Sequence, residues 1–460
     1  MISNNKFYSL LLIPSMIAMF SCQKKANSTN DMSAYFGGKI SQAKSSFVLF
    51  CKDNKVIDTL FLDNNNEFGK KFESLQPGMY IIKYGNNTKY VYFDKNDSLH
   101  LRINGKDFEN LSSFYGTGKE KNNFLLELFS KVRSDHNRFD MLFDKDYKTF
   151  IRNAQSMRDA RMAMYLRRKT EIGWDNDFDH YVKAIIDFAY YTQLEAYSYL
   201  RLKNENNQSE ELPEDYFAFR KKIDFNDESF AEFKPFTRYL SVLLSSITYE
   251  KSLHSALDKS LFRMNIVDSL ISNDKVKNKV LNNLAYSYLL EDQTINNNNV
   301  FLKKYVEMSS DSIQINEIKK LQQSINAFTK ESKLKDFDFR DRDMKIIKLL
   351  DTISKPTVIT FWTKNALNHF KKSNDQIALI QQKHPEIQFV SINIDNDENV
   401  LKMFESLFPR HSNIYLQATD FEELRDQWVI LRLNRAIYIN KNGYIVEGFI
   451  NIFDDQLKLN

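Results

Sequence analysis

Apolar positions along the 460-residue chain follow three successive patterns. Over residues 33–112 they come as short runs and strict alternations. Residues 47–51 and 56–62 are compact apolar runs, and Leu99, Leu101 and Ile103 alternate with His100 and Arg102, as in half-buried strands. Residues 80–82 and 90–93 flank Gly85-Asn86-Asn87, a hairpin turn signal. Eight of the eleven glycines fall between Gly37 and Gly118, which suits a region of many tight turns. This texture predicts an antiparallel β-sandwich over 33–112.

From 113 to 334 the period becomes helical. Phe236, Tyr239, Leu240, Leu243, Leu244 and Ile247 recur at i, i+3, i+4, i+7, i+8 and i+11, one apolar stripe on a helix. Ile185, Phe188, Ala189 and residues 191–199 give a second, aromatic-rich helix. Pro213 and Pro235 mark helix starts, and no period supports a repeat array. From 335 to 460 strands and helices alternate. Strands are expected at 356–362 and 387–394, helices at 368–383 and 398–408, and a closing hairpin at 436–439 and 444–449 around Asn442-Gly443. The fold class is therefore multidomain α+β, with a β domain, an all-helical middle region and a C-terminal α/β domain.

The run from Leu10 to Phe20 is too short for a bilayer-spanning helix, which needs about 20 apolar residues. With Lys6 before it and Ser21-Cys22 after it, residues 1–21 read as a secretory signal peptide. The ending Met19-Phe20-Ser21-Cys22 resembles a bacterial lipobox, whose cysteine is acylated and becomes the new N-terminus. Residues 22–32 then form a polar, lipidated tether, and acyl chains at about 0.8 kcal/mol per buried CH₂ hold such a protein on a membrane.

Composition removes several chemistries. Lys+Arg and Asp+Glu number 64 and 60, interspersed along the chain, so no field favours nucleic acid. Cys22 and Cys51 are the only cysteines, which precludes a disulfide framework, and Cys51 at a strand end is expected to be an inert buried thiol. The seven histidines show no paired spacing for zinc, and no metal or other cofactor is expected. Gly116-Thr117-Gly118-Lys119 is not a phosphate loop, because Ser113 and Glu120 stand where glycine and Ser/Thr are required. Asp175, Asp177, Asp179 and His180 lack the spacing of a calcium loop and suit a helix start.

Three segments of the last domain carry a family resemblance. Residues 355–362 (KPTVITFW), 389–395 (FVSINID) and 437–446 (IYINKNGYIV) are similar, in order and spacing, to the thioredoxin-like domain of the TlpA/ResA group of bacterial membrane-tethered thiol–disulfide oxidoreductases. The N-terminal segments Ile57-Asp58-Thr59, Pro77-Gly78-Met79-Tyr80 and Gly118 with Asn122-Asn123 resemble a small domain that precedes such domains in exported Gram-negative lipoproteins. The resemblance implies a thioredoxin-like fold over 335–460 and a cell-envelope location, lipid-anchored to the outer membrane and facing the periplasm.

It also implies where the redox cysteines belong: two positions after the Phe361-Trp362 strand end, at a helix N-terminus that lowers the first thiol's pKa. Those positions hold Ala366 and His369. Alanine has no nucleophile, and an imidazole closes no disulfide. The facing wall, a cis-proline in the family, is Asn434 here, followed by Arg435. The degenerate groove, with Trp362 and Arg435 as candidate binding residues, suggests a binding or scaffold protein for a protein or peptide partner rather than an enzyme. The alternatives are a non-thiol enzyme using His369 and a residual thiol–disulfide activity. For the anchor, radiolabelled palmitate is expected to enter the wild-type protein in cells and not Cys22→Ala; equal labelling of both contradicts acylation at Cys22.

Overall fold

A computed structural model describes residues 32–460, other than 44, 54, 86, 106, 109, 110, 204–211, 293, 396–398, 408–412, 455, 456, 458 and 460. The expected signal peptide and Cys22, the expected acylation site, lie outside the described residues. No helix among the described residues is long and apolar enough to cross a membrane.

Eight strands open the chain: β1 (Ala34–Ser41), β2 (Phe47–Lys52), β3 (Lys55–Phe61), β4 (Glu67–Phe72), β5 (Gly78–Tyr84), β6 (Asn87–Phe93), β7 (Ser98–Asn104) and β8 (Ser112–Gly116). They form two four-stranded sheets, ordered β4-β1-β7-β8 and β3-β2-β5-β6. One aromatic-rich core lies between them, where Phe36, Phe50, Phe68 and Phe93 meet. The expected antiparallel arrangement needs correction at one pair: β1 runs parallel to β7, with Phe36 opposite Leu99. Hairpin logic covers sequence neighbours only, and β1 reaches β7 after five strands have intervened, so no turn dictates their direction. Cys51 is buried and unpaired, and burial raises its thiol pKa.

The helical region comprises α1 (Lys119–Phe139), α2 (Tyr147–Ile172), α3 (Asn176–Lys203), α4 (Lys234–Glu250), α5 (Ala256–Leu270), α6 (Asp274–Glu291), α7 (Ile295–Met308) and α8 (Ser312–Ala327). The stripe on α4 is buried as expected, and Pro235 sits in its first turn. Between β8 and α1, Gly118 takes φ +86°, and a Cβ there would run into the Asp97 carboxylate. The acidic cluster at the start of α3 is structural. Asp175 caps the helix at Phe178 N (2.8 Å), and buried Asp179 accepts from Tyr165 Oη (2.8 Å) and Trp174 Nε1 (2.9 Å) and pairs with Lys169 and Lys183. Burial opposes the Asp179 charge, but these four donors together hold its carboxyl well below the usual range.

The helices pack on the outer face of β5 and β6. Tyr92 meets Phe178, and Tyr90 stacks on Phe129 at 5.2 Å. A buried amide fixes this seam: Asn122 accepts from Tyr92 N (2.8 Å) and donates to Tyr92 O (2.8 Å) and Gly118 O (2.9 Å). Beside it, Lys121 bridges Asp94 and Asp175.

The C-terminal sheet has seven strands ordered β10-β9-β13-β12-β11-β14-β15. They are β9 (Asp338–Arg340), β10 (Ile346–Lys348), β11 (Thr357–Trp362), β12 (Gln388–Asn393), β13 (Ile414–Ala418), β14 (Arg435–Ile439) and β15 (Ile445–Asn451). β11, β12 and β13 are parallel, while β14 and β15 close the edge antiparallel. One face packs α9 (Leu367–Lys383) and the C-terminal tail; the other packs α11 (Phe421–Trp428) together with Phe328, just past α8. The helix expected at 398–408 is reduced among the described residues to α10 (Val400–Met403) and a 3₁₀ turn at Glu405–Leu407. Asn122→Ala removes three hydrogen bonds, two of them buried, and leaves the Tyr92 backbone unpaired, so it should cost about 2–4 kcal/mol. Urea unfolding followed by Trp174 fluorescence measures this, and an unchanged midpoint contradicts the role given to Asn122.

Candidate functional site

β11 delivers the chain to the site and α9 carries it away. Ala366 is the N-cap of α9, the place where the resemblance sets an attacking thiol, and its methyl group offers no cap and no nucleophile. The connecting turn is instead pinned from outside. Asp395, just beyond β12, accepts from Thr363 Oγ1 (2.6 Å) and Lys364 N (2.7 Å), and it also takes Asn393 Nδ2 (2.8 Å). Sequence reading placed Asp395 only as a strand end. An aspartate directly after a parallel strand, at the level of a neighbouring strand's exit loop, was the available signal.

His369 lies in the first turn of α9, half-buried against Phe453 with ring centroids 5.7 Å apart. Its Nδ1 is 3.5 Å from Ser373 Oγ, and its Nε2 is buried without a partner among the described residues. Burial lowers its pKa from the ordinary 6.5, so the ring is neutral at pH 7. No carboxylate orients it among the described residues, so the arrangement lacks the partner a catalytic imidazole needs.

The other expected groove residues do not join His369. Trp362 is 1% exposed and stacks on Phe370 at 4.3 Å within a cluster containing Val400, Leu401 and Tyr415. It is core, filling the space between α9 and the sheet. Asn434 is exposed, and no cis peptide bond occurs among the described residues.

Arg435 points to the opposite face of the sheet. Side chains alternate along a strand. In β14, Ala436 and Tyr438 pack toward α9, whereas Ile437 and Ile439 pack toward Trp428 and α11. Arg435 shares the parity of the second pair. Its guanidinium is buried and donates to Gly448 O from Nη2 (2.8 Å) and Nε (3.2 Å), and to the Trp428 and Val429 carbonyls from Nη1. It also lies under Phe449 and Phe328, 4.2 and 4.9 Å from their centroids. Burial lowers its pKa to about 9, still high enough for full charge at neutrality. The two carbonyls end α11, where a cation meets the negative end of the helix dipole.

No family model matches the chain, and no curated protein matches it. Several solved structures do. A thioredoxin-like protein from Bacteroides caccae is 13% identical, aligned over 56% of this chain and 90% of its own, with TM-score 0.34. The thioredoxin domain of a thiol–disulfide oxidoreductase from Bacteroides vulgatus is 17% identical over 26% of this chain and 86% of its own (TM-score 0.23). A thiol:disulfide interchange protein from a Bacteroides species is 17% identical over 26% and 79% (TM-score 0.23).

The His369 environment sets a pH dependence. As pH falls, the unfolded chain takes up the imidazole proton near 6.5 while the folded ring stays neutral, so stability drops on acidification through that range. An NMR titration should place His369 below 6.5 in the wild type and move it upward in Phe453→Ala. Identical titration of both proteins contradicts shielding by Phe453.

Proposed function

We propose that the C-terminal unit is a thioredoxin-like domain that has left thiol–disulfide chemistry. We further propose that the protein is a lipid-anchored, extracytoplasmic binding or scaffold protein of the cell envelope. The observation that carries the reading is Ala366 as N-cap of α9, after a buried parallel strand ending in Phe361-Trp362. Thiolate attack at that point requires sulfur, and the remaining cysteine of the described residues, Cys51, is buried in the N-terminal core. The topology of β11–β15, with parallel strands followed by an antiparallel pair and α9 behind β11, supports the fold assignment.

A catalytic role for His369 is the weaker reading. Its Nε2 faces no acid or base among the described residues, and Phe453 covers the ring. Insulin reduction with dithiothreitol tests the proposal. The wild-type chain is expected to give the uncatalysed rate, whereas Ala366→Cys/His369→Cys, which restores the pair at the helix N-terminus, should exceed it. Catalysis by the wild type overturns the reading.

A further inference from the structure

A cavity opens in the helical region, where α1, α2, α3 and α4 converge beneath β6. It encloses about 390 Å³, within the range of small-molecule sites. Its walls are apolar and aromatic, with Leu125, Phe129, Phe139, Phe143, Ile185 and Phe188 prominent. Arg133, Lys234 and Arg238 are exposed lining residues, Arg238 bonded to His136 at 3.1 Å, and none of the described lining residues is Asp or Glu. A cavity lined this way attracts anions.

Arg161 on α2 lines the same cavity and is fully buried. Its Nη1 reaches Asp135 Oδ2 at 3.3 Å, and Asp135 also takes Lys131 at 2.6 Å, so that carboxylate is already shared. The other edge of the guanidinium, Nε and Nη2, has no acceptor among the described residues. This edge is the fork that fits a carboxylate side-on. Arg220 uses this edge that way, gripping both oxygens of Glu195 through Nε and Nη2 at 2.7 Å each, and Arg158 directs the same edge at one oxygen of Asp187, at 3.2 and 2.7 Å. Leaving such a fork unpaired in the interior is unfavourable unless something completes it. Gln193 on α3, 6% exposed, also lines the cavity, and its Oε1 has no donor among the described residues.

We infer that this cavity binds a small amphiphilic carboxylic acid. The Arg161 fork holds the carboxylate, the aromatic walls hold the apolar body, and Gln193 accepts from a hydroxyl or amide of the ligand where one is present. The inference rests on the helical unit alone and does not depend on the redox state of the C-terminal domain.

Calorimetric titration of the full chain tests it, with decanoate and N-acetyl-leucyl-phenylalanine as two carboxylate probes and decanamide as the neutral match. At least one carboxylate is expected to bind, and whichever is tighter tells an acyl chain from a peptide end. The amide should bind at least about 10-fold more weakly, as should either carboxylate to Arg161→Met. Because Arg161→Met disturbs the Asp135 pair, Ala189→Trp provides a second variant that fills the cavity while keeping Arg161; it should also abolish binding. Absence of binding by both carboxylates, equal affinity for decanoate and decanamide, or unchanged binding to folded Ala189→Trp overturns the inference.

Discussion

A single buried cation, Arg435, organises the C-terminal domain of this molecule. Arg435 gathers the backbone carbonyls that end α11 and the one at Gly448, and it lies between the rings of Phe328 and Phe449. No carboxylate is among its partners in the described residues, so its charge is balanced by dipoles and aromatic faces, a solution available only where the carbonyls converge. Val429 contributes one of those carbonyls from a left-handed backbone, φ +54°, which a β-branched residue adopts only when its surroundings compel it. Gly448 completes the arrangement, because a Cβ there would meet the Phe328 ring at 2.6 Å. Phe328 follows α8 directly, and Glu331, Ser332 and Leu334 then pair with the backbone of residues 443–445. The join between the helical region and the terminal sheet thus runs through this clasp.

The same commitment explains the state of the neighbouring groove. A redox site of the type the sequence resembles needs a reactive group on α9 and a shaped wall from the loop before β14. Here α9 begins with a methyl group, its second position lies under Phe453, and the residue after the loop has turned through the sheet to serve the fold. Asp395 fastens the turn before α9, and Arg435 is committed to backbone carbonyls on the other face of the sheet.

Much of this was legible in advance. Period alone located most of the N-terminal strands, α4 and the three segments of the terminal sheet, because burial on one face imposes its spacing on the chain. The Arg435 direction was also present in the sequence: its parity with Ile437 and Ile439 sets it against α11, but adjacency to Asn434 drew attention to the groove instead. Other features were not legible. The parallel pairing of β1 with β7 depends on contacts across five strands, and the covering of His369 by Phe453 depends on where the tail packs. The open fork of Arg161 could not be read because an arginine in a helix looks the same whether it faces solvent or a cavity.

The measurement that bears most directly on the account is thermal unfolding of Arg435→Met, a variant that keeps the volume and removes the donors. Three carbonyls in the interior then lose their partners, and the unfolding of the C-terminal unit should move down by about 3–5 kcal/mol, with the N-terminal β unit unaffected. An unchanged C-terminal transition would mean that Arg435 does not hold this fold together, and that the loop before β14 is free to serve the groove after all.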